Sequence, residues 1–277
     1  MRLVSAKVAQ NIGQAVVVEN RPGASSIIAA QYVAQSAPDG HTIFSAEQGA
    51  LVFNAALYSR LPYDPAKDFA PLSNMIRGPL VLAVHPSFPA TDFKSFIAEA
   101  RRRPGKFNYG SPGRGLAHHL AMEALKGRAG LDIVDVQYKG LAPAVQDLLA
   151  GQVTMANIDT VIVLPLIRAG KVRPIATFSE KRLSVLPDVP ALGELGYPGI
   201  DIAPTVGVVA PRKTPREIVN RLSVEVRRAV RDPEVNAKLT GLGLDVIADT
   251  PEEFAAFLEK EATTWLPFIR KLNIKLD

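Results

Sequence analysis

The stretch Tyr109-Gly110-Ser111-Pro112-Gly113-Arg114-Gly115-Leu116-Ala117-His118-His119-Leu120 has the densest capacity for chemistry in the chain. A short strand-like run leads through three glycines into an apolar helical pattern carried by Leu116, Leu120 and Leu125. Glycine lets a backbone approach a ligand closely, and a helix start presents unpaired N–H groups, so this order predicts an anion site for carboxylate or phosphate. A tight strand–helix turn that uses glycine for positive φ explains the same letters equally well. No Gly-Lys-Ser/Thr closes the segment, and its G-x-x-G-x-G spacing reverses the dinucleotide order, so a P-loop and a Rossmann dehydrogenase both fit poorly. Two further junctions have the same character: Arg21-Pro22-Gly23-Ala24-Ser25-Ser26, and Tyr138-Lys139-Gly140-Leu141-Ala142-Pro143. In the second, Gly140 and Pro143 also read as ordinary turn punctuation and Lys139 as a solvated side chain.

Searches for reactive groups return nothing. No Gly-x-Ser-x-Gly elbow offers an acyl-transfer serine. Cysteine is absent, which excludes thiol catalysis, disulfides and thiolate metal sites. The four histidines, His41, His85, His118 and His119, form no H-x-x-x-H or H-E-x-x-H pair, so no metal is expected. His118 and His119 lie about 100° apart around a helix, which predicts that one of them is simply exposed. Asp147, Asp159, Glu194 and Glu225 stand in unrelated contexts. The expectation is a binder that needs no cofactor, rather than an enzyme.

The elements that must position these junctions follow from the apolar pattern. At 277 residues the chain makes one large or two medium domains, and 47% hydrophobic residues suffice for a real core. Short apolar runs alternate with amphipathic helices: a strand over 15–18, a helix over 27–35, a strand over 41–45. Such runs predict an α/β protein with a parallel sheet covered on both faces. Thr91, Thr214 and Thr250 are read as openings of helices, the last two followed by Pro and then Glu. Pro267 is expected to kink or end the last helix. Apolar runs at 80–84 and 206–210 are each followed by Pro and a new helix, as in a chain that crosses twice between lobes. The division expected is 1–82 plus 209–277 in one lobe and 83–208 in the other. The formal charge of +5 comes from dispersed Lys and Arg, which suits an anionic small molecule at least as well as nucleic acid. No apolar stretch reaches the ~20 residues of a membrane span, and no secretory signal is visible.

An ordered set of segments resembles the Bug-type solute-binding proteins. It comprises Val16-Val17-Val18-Glu19-Asn20-Arg21-Pro22-Gly23-Ala24, Ala37-Pro38-Asp39-Gly40, and Leu57-Tyr58 through Leu61-Pro62-Tyr63-Asp64. It continues with Tyr109-Gly110-Ser111, Gly113, Gly115 and His118-Leu120, then Tyr138-Lys139-Gly140 with Pro143-Ala144, and Asp147-Leu148-Leu149 with Gly151-Gln152-Val153. Leu186-Pro187-Asp188-Val189-Pro190 and Thr250-Pro251-Glu252-Glu253-Phe254 complete it.

The resemblance implies a two-lobe periplasmic binding protein of the type II, Venus-flytrap build. It implies a monomeric extracytoplasmic receptor for a tripartite tricarboxylate transporter, binding a small carboxylate and meeting membrane transporter subunits but no nucleic acid. The ligand is expected in a cleft between the lobes. The residues implied are Ser25, Ser26, Ala46 and Gln48 from one lobe, and Ser111, Gly113, Gly115, Lys139, Gly140, Asn157, Asp159 and Thr160 from the other.

The chain departs from the pattern at its start, where Arg2-Leu3-Val4 enters within the first helix, so the first strand and its loop are expected to be truncated. Leu116 stands where Ser is common, and Glu47 is acidic in a loop expected to face an anion. Two other classes fit parts of the pattern. An enzyme acting on a carboxylated substrate would use Glu47 or His118, and the effector domain of a regulator shares the two-lobe architecture.

Overall fold

The computed structural model describes residues 1–277, the Ala24 side chain excepted. The strands are β1 (Phe44–Glu47), β2 (Phe69–Arg77), β3 (Leu80–Val84), β4 (Asn108–Ser111), β5 (Val134–Gln137), β6 (Met155–Asp159), β7 (Arg173–Thr177), β8 (Thr205–Pro211) and β9 (Asp245–Val246). They divide between two units.

Unit 1 comprises Met1–Arg77, Thr205–Gly241 and Asp245–Asp277. Its sheet runs β1-β8-β2-β9 with every pair antiparallel. Helices Arg216–Arg231 and Pro251–Lys271 pack on β2. Phe254 of the second is 1% exposed, and a Cβ at Gly207 of β8 would lie 2.2 Å from its ring, so glycine there admits the aromatic.

Unit 2 comprises Gly78–Pro204 and Leu242–Leu244, with strand order β5-β4-β6-β3-β7. β5, β4 and β6 run parallel, whereas β3 is antiparallel to both β6 and β7. Its core gathers Val81, Ala83, Leu148, Val153, Ala156, Ile158 and Val163.

Several sequence expectations are corrected. The parallel sheet is confined to three strands of unit 2. The apolar runs at β3 and β8 report burial on both faces, and two-sided burial does not depend on strand direction. The expected boundaries at 82/83 and 208/209 fall instead at 77/78 and 204/205, because β3 lies wholly in the sheet of unit 2 and β8 in that of unit 1. Residues 15–18 form no strand: β1 pairs with β8 alone, and Val17 is 86% exposed. A β-branched run becomes a strand only with a ladder to join. The next strand is Phe44–Glu47, not 41–45.

Asp92, not Thr91, caps the helix Phe93–Arg102, its carboxylate accepting from the Ser95 amide at 2.7 Å. Thr214 caps nothing: its hydroxyl has no partner among the described residues, and Pro215 occupies the N-cap. Thr250 does form the expected capping box with Glu253. Pro267 does not end its helix, which runs on to Lys271 with Trp265 and Ile269 buried on either side of it.

Unit 1 also holds a pH-sensitive contact. The carboxylate of half-buried Asp249 accepts the Asn74 amide of β2 at 2.6 Å. Burial, aided by neighbouring Glu253, pushes its pKa up to about 6, against the Asn74 bond and Arg227. A carboxyl whose folded value is raised destabilises the fold above that value, and the cost fades as pH falls from about 6 toward the unfolded 3.8. Asp249→Asn keeps the acceptor and removes the charge. With screening at a half-exposed site it should raise stability by about 1 kcal/mol at pH 8. The gain should vanish near pH 4, as read from urea unfolding midpoints at the two pH values.

Candidate functional site

In unit 2 the parallel strands β5, β4 and β6 bring their carboxyl ends to one edge, and each is followed by a helix: Leu141–Leu149, Ala117–Ala129 and Thr160–Arg168 respectively. Ligands of open α/β sheets collect at such ends. Register ties the loops together. Ser111 pairs with Gln137, the Tyr138 amide donates to Ser111 O at 2.8 Å, and the Gly140 amide donates to Pro112 O at 3.1 Å.

None of the three helices is capped by a side chain; their N-caps are Leu116, Gly140 and Asp159. Phe93–Arg102 and Pro251–Lys271 are closed by capping boxes, whereas Arg2–Ile12, Ile27–Ala34 and Arg216–Arg231 also lack a side-chain cap, so what distinguishes these three starts is their convergence on one sheet edge. The first amides of a helix have no intrahelical acceptors; here no side-chain cap takes them, although Pro143 offers no N–H and the Thr160 amide donates to Pro79 O. The edge thus gathers three positive dipole ends suited to an anion.

Each residue anticipated in this unit has a defined place. Ser111 is buried, its hydroxyl 3.4 Å from the Gly113 amide. Gly113 and Gly115 hold φ of 152° and 76°, which L side chains rarely adopt. The Gly115 amide donates to His119 Nδ1 at 3.4 Å. Lys139 is exposed, and Gly140 at φ 107° starts its helix. Asn157 is buried, donates to His118 O at 2.9 Å and leaves its Oδ1 without a partner among the described residues. Asp159 Oδ2 lies 3.0 Å from His118 Nε2. Thr160 is fully buried, its hydroxyl donating to Gly243 O at 2.7 Å and its amide to Pro79 O at 3.1 Å. Its hydroxyl therefore holds the 242–244 segment in place.

The expectation that one of His118 and His119 is simply exposed is corrected: His118 pairs with Asp159, and His119 lies 3.4 Å from Asp135. Sequence reasoning also passed over the bracing of His118 by two β6 residues. These partners lie 41 and 39 positions away, so no local pattern could reveal them.

In unit 1, Ser25 and Ser26 both adopt the left-handed region, at φ 50° and 67°, just before the helix Ile27–Ala34. Each such residue costs about 1–2 kcal/mol, and strain of this kind clusters at ligand sites. It is held by a network. Tyr58 Oη donates to Ser25 Oγ at 3.0 Å, and Asn54 Nδ2 donates to Ser25 O and to Tyr63 Oη, both at 3.1 Å. Tyr63 Oη in turn donates to Ala50 O at 2.8 Å. Burial pushes the Tyr63 hydroxyl up to about 12, against the Asn54 bond, so it stays a neutral donor. Ala46 is buried in β1 opposite Gly207. Gln48 is buried, its amide donating to Glu261 while its Oε1 finds no partner among the described residues. Ser25, Ser26 and Glu47 are exposed.

Among the described residues, no group of three or more His, Asp or Glu is arranged to hold a metal ion. No helix among them is long and apolar enough to cross a membrane.

The family profile described as "Tripartite tricarboxylate transporter family receptor" matches residues 1–274. The chain belongs to this family. The receptor is 32% identical over 277 residues to protein BugT of Bordetella pertussis, with 99% of this chain and 85% of BugT covered. Its fold is that of the periplasmic binding proteins. It superposes on R. palustris Rpa4515 with adipate at a TM-score of 0.88 and 35% identity, covering 99% of this chain and 92% of that one. MatC from Rhodopseudomonas palustris with bound malate matches at a TM-score of 0.83 and 32% identity, covering 97% and 92%. The Bug-type resemblance is thus confirmed, and the receptor's fold class with it.

Proposed function

We propose that this receptor is a periplasmic, non-catalytic binder of a small dicarboxylate, which it passes as a monomer to the membrane subunits of a tripartite transporter. The observation that carries the reading is the set of three helix starts without side-chain caps at one edge of unit 2. Relatives with adipate and malate give the ligand class. The carboxylate is taken by first-turn amides of unit 2, with Ser111, Gly113, Lys139 and Gly140 around it; Ser25 and Ser26 are the hydroxyls that unit 1 offers a ligand. Gly115, Asn157, Asp159 and Thr160 set the shape of that edge, and Ala46 and Gln48 that of unit 1. A micromolar dissociation constant, about 8 kcal/mol, is an ordinary scale for such a site.

Titration with adipate and with malate, followed by heat and by backbone amide resonances, tests the reading. One-to-one saturation with the ligand recovered unchanged is expected. Turnover of the ligand would replace the receptor reading with an enzyme.

A further inference from the structure

An uncapped helix start leaves its amides to a ligand but forfeits the stabilisation a cap gives, so something else must fix the loop that leads into it. In the helix Ala117–Ala129 the N-cap is Leu116, which places His119 at the third helical position. Its side chain is 4% exposed and reaches back over the turn, where Nδ1 accepts the Gly115 amide at 3.4 Å. Its Nε2 lies 3.4 Å from Asp135 Oδ2 on β5. In a capping box the third residue's side chain takes the amide of the N-cap residue, while the N-cap side chain takes an amide of the first turn. Only the returning half is present here, shifted one residue outward. It ties the loop down without using any first-turn amide.

We propose that His119, as the neutral tautomer with its proton on Nε2, is the positioning residue that holds the 113–116 loop for ligand binding. The geometry requires this tautomer: a Gly115 N–H pointing at Nδ1 leaves no room for a proton there. Burial favours the same state, lowering the imidazole's proton affinity against the pull of Asp135 and Glu123, while Arg114 and Lys126 act with burial. Tyr109 completes the ring of polar groups, donating to Glu123 Oε1 at 2.9 Å. The binding consequence rests on the receptor reading; the tautomer and the order of the loop do not.

The test compares His119→Asn, whose Oδ1 stands where Nδ1 stands, with His119→Phe, which removes the acceptor. With adipate as probe in calorimetry, the Phe variant should bind about tenfold or more weakly and the Asn variant within about threefold of the parent. Nitrogen NMR of the parent ring should show the Nε2–H tautomer. Exchange of the Gly115 amide should accelerate in the Phe variant alone. Equal affinity and equal Gly115 exchange in both variants, or an Nδ1–H ring, would overturn the proposal. If the Phe variant fails to fold, the parent ring tautomer and the Asn variant still decide it. If adipate does not bind the parent, the receptor reading fails, while the tautomer and exchange results still judge His119.

Discussion

Leu116→Asp should abolish binding of adipate and malate, weakening it by at least about 100-fold, or about 2.7 kcal/mol. Leu116 is the N-cap of Ala117–Ala129 and sits at φ −73°, ψ 158°, the extended conformation from which an aspartate side chain caps a helix. Its carboxylate would take the same first-turn amides that the ligand is proposed to use, and would add like charge. The substitution is distinctive because it need not harm the fold: a new cap contributes about 0.5–2 kcal/mol, offsetting the lost packing of a half-buried leucine. Denaturant unfolding should therefore stay within about 1 kcal/mol of the parent while calorimetry loses its signal. Undiminished affinity would mean that these amides do not hold the carboxylate.

Gly113→Val should cost a comparable factor by another route. Gly113 holds φ 152°, and a Cβ there would lie 3.3 Å from Leu116 Cδ1. A β-branched side chain would force the loop off its path at a strain of about 1–3 kcal/mol. Because Gly113 itself is only half-buried and precedes the helix, circular dichroism should be unchanged while affinity falls about 100-fold. Retained affinity with an intact fold would remove the 111–115 loop from the site.

The parts of this account visible in the sequence are those encoded locally. The strand–turn–helix junctions at 109–117 and 138–141 were legible because glycine and a helix start lie close together in each, whereas the one at 21–26 leads into a helix but follows no strand. The Thr250–Glu253 capping box was legible for the same reason. Strand direction was not, since β3 and β8 are buried on both faces whichever way their neighbours run. Residues 15–18 have the composition of a strand but no ladder to join, a tertiary fact their side chains do not carry. The bracing of Ser25 by Tyr58 and Asn54 spans 33 and 29 residues, and the Asp159 contact to His118 spans 41. Pairings at such separations are set by topology. The absence of side-chain caps on three helices, which carries the functional reading, became evident once helix boundaries were fixed. Leu116, Gly140 and Asp159 gain that meaning only as N-caps.

The most direct test of the central claim is an amide-resolved titration of the unmodified chain with adipate and with malate. Saturable one-to-one binding by at least one of them is expected, with the largest shifts at the first-turn amides after Leu116 and Gly140. Saturation that leaves those amides unmoved, or no binding of either dicarboxylate, would contradict the account.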